Sequence, residues 1–96
     1  MRLPKTVRIG SQEINVVFKD KIIHRGNECI GLWCHDEQEI RIERGLHQDK
    51  KKEVFLHECL HAIDDLYDIG LGEKKVNILG VSVLALIKNN NLDFLL

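Results

Sequence analysis

Apolar and polar positions along this 96-residue chain follow two rhythms, period two in the first half and period three to four in the second. Val7 and Ile9, then Ile14, Val16 and Phe18, alternate with polar residues on either side of Gly10-Ser11. Alternation of β-branched residues around a Gly-Ser pair predicts a hairpin, Thr6 to Ile9 returning as Glu13 to Phe18. Residues 19–27 carry charge, Gly26 and Asn27, and read as a loop with a short helical turn at Lys21 to His24 that leaves His24 exposed. A second strand pair follows, Cys29 to Trp33 and Glu39 to Glu43, joined by a turn at residues 35–38. Ile30, Leu32 and Cys34 share one face, and Ile40 and Ile42 answer them across the turn.

After Gly45 the rhythm changes. Leu56, Cys59, Leu60, Ile63, Leu66 and Tyr67 gather into one stripe of a helix that takes Asp49 as N-cap and runs to about Asp68, ahead of Gly70 and Gly72. Glu73 to Asn89 forms a second helix, stopped by Asn89-Asn90-Asn91. Its apolar residues lie nearly all round: Val76, Leu79, Val83, Leu86 and Ile87 on one side, Ile78, Val81 and Ala85 on the other. A helix of that kind is buried on two sides. It is therefore expected to pack under the sheet as well as against the first helix, or to form a homodimer interface, with Leu92 to Leu96 folding back over remaining apolar surface. The sum is one α+β domain over residues 1–96, a small antiparallel or mixed sheet packed on a central helix and a second, C-terminal helix.

Charged residues make up 30% of the chain and hydrophobic ones 44%, and the net charge of −1 offers no electrostatic reason to bind nucleic acid. The one basic run, Lys50-Lys51-Lys52, reads as a solvated first turn. Three cysteines without a Cys-x-x-Cys spacing suggest neither a disulfide framework nor a zinc knuckle. A reducing compartment fits them better, with Cys59 as a small core residue. No apolar run approaches the roughly 18 residues of a membrane span, nor is there an apolar segment of signal-peptide length, so a cytoplasmic protein without a membrane partner is expected.

The central helix carries His57-Glu58-Cys59-Leu60-His61. Residues four apart lie one above the other on a helix face, so both imidazoles can reach a single zinc ion, while Glu58, one step round, is placed to handle protons. A catalytic site needs a third protein ligand. Asp64 lies seven residues beyond His57, about 10 Å along the axis, so convergence of all three would strain a continuous helix. Glu73 is the best candidate, because Gly70 and Gly72 let the chain reverse and return a carboxylate from the first turn of the next helix. Asp64, Asp65 and Asp68 remain the alternatives. Asp65 can also orient a ligand imidazole, and Tyr67, His35 and His47 are candidate donors to a developing oxyanion.

The strand Glu39-Ile40-Arg41-Ile42-Glu43, then Phe55-Leu56-His57-Glu58-Cys59-Leu60-His61-Ala62, then Leu71-Gly72-Glu73-Lys74-Lys75-Val76 resemble the small gluzincin metallopeptidases, over about residues 28 to 92. The likeness is to ImmA/IrrE-type and minimal zincin proteins of phages and mobile elements. It implies zinc held by His57, His61 and Glu73, Glu58 as base, and a strand before the helix that pairs with an extended peptide substrate. Metzincins are excluded, since Asp64 and Tyr67 stand where their glycine and third histidine belong. The expected activity is hydrolysis of peptide bonds by a zinc-activated water with Glu58 as its base. The alternative is a catalytically weak or inactive zincin-fold binder whose apolar second helix and tail engage a host or regulatory protein.

Overall fold

Strands β1 (Thr6–Ile9) and β2 (Gln12–Lys19) form the expected first hairpin, Val7 opposite Ile14 and Arg8 opposite Glu13. The computed structural model describes residues 2–92, so the expected fold-back of the last residues, 93–96, lies outside it. Gly10 takes φ +60° in the turn, and a Cβ there would stand 2.9 Å from the Tyr67 hydroxyl. Only glycine meets both demands.

Residues 21–24 are not helical. They belong to a second, small hairpin, β3 (Ile22–His24) and β4 (Asn27–Cys29), turned by Arg25 at φ 52° and Gly26 at φ 79°. Two consecutive left-handed residues make the tight turn whose twist matches paired strands. The β-branched Ile22 is buried where β3 lies near β5 and β6, whereas a helical turn would have no apolar periodicity to hold it. Cys29 accordingly closes β4 rather than opening the next strand.

β5 (Gly31–Cys34) and β6 (Glu39–Glu43) pair antiparallel as anticipated, but the register sets Trp33 and Gly31 opposite Ile40 and Ile42, so Leu32 and Cys34 lie on the other face, with Arg41 and Glu39, rather than answering the two isoleucines. β6 also pairs with β2, and that pairing is parallel, with Val16 beside Ile40 and Phe18 beside Ile42. The result is one mixed sheet in the order β1-β2-β6-β5. Period-two alternation sends Ile14, Val16, Ile40 and Ile42 to one face, where they are buried with Leu3 and Ile9.

Helix α1 (Gln48–Leu66) lies over that face and contributes Val54, Phe55, Cys59 and Ala62 to the same core. Each large aliphatic buried in it contributes about 1.5–3 kcal/mol. The stripe sits differently from the expected one. Tyr67 caps the C-terminus and is 59% exposed, Leu60 meets the second helix at Gly80, and the core face is led by Phe55, Cys59 and Ala62. His47, not Asp49, occupies the N-cap position, and its side chain makes no capping bond.

Asp68 at φ 53°, Gly70 at φ 84° and Gly72 at φ 79° carry the reversal into helix α2 (Gly72–Asn89). α2 buries Val76, Gly80, Leu84 and Ile87, a single stripe at helical spacing, and packs against α1 rather than under the sheet. Its other side is open: Ile78 is 56% exposed and Leu86 55%. No helix among the described residues is long and apolar enough to cross a membrane.

Candidate metal centre

His57 and His61 occupy consecutive turns of α1, and their Nε2 atoms lie 3.1 Å apart with the rings at 71°. Glu73, in the first turn of α2, reaches both. Its Oε1 is 3.0 Å from His57 Nε2 and its Oε2 is 2.8 Å from His61 Nε2. A tetrahedral ion with bonds of about 2.0–2.2 Å separates its ligand atoms by roughly 3.3–3.6 Å, so these three contacts, which use both oxygens of Glu73, are a few tenths of an ångström shorter than a bound ion would set them. Two imidazole nitrogens and a carboxylate converging on one point have a common use for a cation between them. The three side chains line a cleft of about 930 Å³, so an ion held by them would have room for a further ligand. The residues present fit a zinc ion.

The reversal that delivers Glu73 is built by Asp64. Its Oδ1 accepts the amides of Gly70 at 2.7 Å and Leu71 at 2.8 Å, and its Oδ2 faces the amide of Gly72 at 3.5 Å. The Leu71 bond above all holds the Asp64 carboxyl below the ordinary range. Unpaired amides at the start of α2 are thus satisfied from one turn beyond His61. Asp64 supplies the turn, not a bond to the ion.

Asp65 and Asp68 also stay out of the triangle. Asp68 sits in the left-handed turn after α1. Asp65 does not orient a ligand imidazole; its Oδ2 accepts from the Trp33 indole Nε1 at 2.9 Å and lies 2.6 Å from His35 Nδ1. This ties β5 to the C-terminal half of α1. The hydrogen bond to Asp65 pushes the His35 pKa up, and the bonds from Trp33 and His35 hold Asp65 down.

Glu58 lines the same cleft but lies beside the ligand cluster. It is 8% exposed, and the backbone amide of Trp33 donates to its carboxyl. Burial, reinforced by the nearby negative charge of Glu73, pushes its pKa up to about 7, against the stabilising amide. Gly31 makes room for it. A Cβ at that position would stand 2.4 Å from Val54 Cγ1 and 3.1 Å from Glu58 Oε2.

β6 has neighbours on both sides and cannot take the strand-pairing role expected of the strand before the helix. Of the two edge strands, β1 and β5, it is β5 that borders the cleft. The Glu43 amide donates to the Ile30 carbonyl at 2.9 Å, so in antiparallel alternation Leu32 and Cys34 turn their backbone groups toward β6, and Gly31 and Trp33 turn theirs outward over the cleft. None of the three candidate oxyanion donors lines the cleft: Tyr67 packs on Gly10, His47 starts α1, and His35 is held by Asp65. Cys59, pushed up to about 12 by burial, is a core thiol.

Sequence reading alone missed Gly31, the Asp64 bridge and the Trp33–Asp65–His35 tether. Only the acidic run Asp64-Asp65 hinted at the last two. Comparison with protein-family models, with curated proteins and with solved structures found no match to this chain.

Proposed function

We propose that the protein is a zinc-dependent metallopeptidase of the small gluzincin kind, with His57, His61 and Glu73 as ligands and Glu58 as the base. The observation that carries this reading is the convergence of a carboxylate from α2 on two imidazoles of α1, with a second, buried carboxyl alongside. Bound zinc supplies Lewis acidity, which acidifies water and polarises a carbonyl. Glu58, steadied by the Trp33 amide, takes a proton from the attacking water and returns one to the leaving amine. With the Trp33 amide given to Glu58, the outward amide and carbonyl of Gly31 and the carbonyl of Trp33 hold an extended peptide along β5, with α2 forming the opposite wall of the cleft. The three free thiols suit a reducing compartment, and we place the protein in the cytoplasm.

The test has two parts. Protein purified without a histidine tag is expected to hold about one zinc per chain, and Glu73→Ala to lose it. Glu58→Gln is expected to keep the metal and stop cleaving a susceptible unfolded protein; turnover equal to wild type in that variant removes Glu58 from the mechanism. The exposed apolar side of α2 favours a second reading, a catalytically inactive zincin-fold binder of a host or regulatory protein. That reading gains if a partner is captured while every substrate survives intact.

A further inference from the structure

We infer that α2 pairs with the α2 of a second copy of this chain, antiparallel about a twofold axis at Ser82. The inference is independent of the metal reading. Between Val76 and Ile87 the helix holds no charged residue, yet only one side of it meets α1. At about 100° per residue, the buried stripe of Val76, Gly80, Leu84 and Ile87 is opposed by Lys75, Ile78, Ser82, Ala85 and Asn89. These follow one another at spacings of three, four, three and four, a strip along one helix face in which Ile78 and Ala85 are apolar and Lys75, Ser82 and Asn89 are polar. All five are exposed, and Leu79 and Leu86 flank the seam on one side.

The seam is complementary to itself in the antiparallel sense. With the axis at Ser82, Ile78 meets the partner's Leu86, and Leu79 meets the partner's Ala85. The small side chains of Ser82 and Ala85 let the two backbones approach closely at the centre. Lys75 then faces the partner's Asn89, at the helix end where the macrodipole is negative. A parallel pair would instead set Lys75 against its own copy and align the dipoles unfavourably. Each copy uses the same patch, so the association closes as a dimer. The cleft-lining residues Asn77, Gly80 and Val81 lie toward the other flank of α2, which leaves both clefts open.

A helix face of this length covers on the order of 500 Å² per copy, below the roughly 800 Å² of a standard interface, so the dimer is expected to be concentration-dependent. Sedimentation of the full chain from about 1 to 500 μM should show the mean mass climbing from that of a monomer toward twice that value. Leu86→Glu should hold the mass at the monomer value throughout, and at about 1 μM, where the wild type is also monomeric, its melting temperature should match that of the wild type because Leu86 is already half exposed. In a Cys29→Ser background, Ser82→Cys should form a covalent dimer under mild oxidation far faster than Lys74→Cys, whose two copies would stand about 24 Å apart along the antiparallel pair. A wild-type chain that stays monomeric at the highest concentration overturns the inference. So does a Leu86→Glu chain that still dimerises, or Ser82→Cys cross-linking no faster than Lys74→Cys.

Discussion

Two residues with no chemistry of their own decide where the reactive ones stand. Gly31 is the point at which β5 touches α1, and its missing side chain is the space that Val54 and Glu58 occupy. Because Val54 is buried and cannot swing away, Gly31→Ala should destabilise the fold by about 1–3 kcal/mol, read as a lowered melting temperature. Asp64 is the second. Without its carboxylate the amides of residues 70–72 lose their acceptor, and the reversal no longer sets Glu73 against the imidazoles. Asp64→Ala should weaken zinc affinity about 10- to 100-fold while leaving the far-ultraviolet circular dichroism unchanged, as competition with a chromophoric chelator would show. An unchanged affinity would mean that α1 and α2 hold the turn without it.

At the scale of elements, the geometry rests on how α2 and β5 each meet α1. Gly80 lies where α2 crosses Leu60, but a Cβ there would sit 3.8 Å from Leu60 Cδ1, an ordinary contact. Closeness therefore does not require glycine, and Gly80→Ala should stabilise by about 0.5–1 kcal/mol through helix propensity, raising the melting temperature by several degrees. β5 is tied to α1 through Asp65, which meets both Trp33 and His35. His35 is raised from 6.5, so its contribution is complete below that pH and disappears as pH climbs through the folded value. Asp65 is lowered from 3.8, so its contribution is complete above that pH and disappears as pH falls through the folded value. The window in which both act thus lies between these two unfolded values. The gap in melting temperature between metal-free wild type and His35→Ala should be widest near pH 5 and shrink toward pH 9; a gap that widens with alkali would contradict the pairing.

For the whole molecule, the candidate metal ligands come from both helices, so zinc bound there should act as a clamp between them. Saturation at 100 times the dissociation constant contributes about 2.7 kcal/mol, and a chelator should lower the melting temperature by roughly 10–20 °C, less in Glu73→Ala. Much of this layout was legible in the residues. Alternation around Gly10-Ser11, the stripe through Cys59, and the glycines ahead of Glu73 announce two strand pairs, two helices and a carboxylate brought back toward two histidines, because each is a local periodicity or a local turn. What could not be read was how these pieces lie on one another. Strand register inside a hairpin follows from its turn, but the parallel contact of β2 with β6 joins residues more than twenty positions apart, and no local pattern encodes it. That contact encloses β6 between two neighbours and leaves β5 as the edge strand at the cleft. The hairpin of residues 22–29 was hidden because Arg25 is not a residue that advertises a left-handed turn. The chain by itself determined which groups could bind a cation and which helix faces were apolar, since spacing along a helix is fixed by its geometry. Tertiary packing alone decided which carboxylate completes the triangle, which strand borders the cleft and which apolar face stays uncovered, since each depends on what the neighbouring element leaves room for.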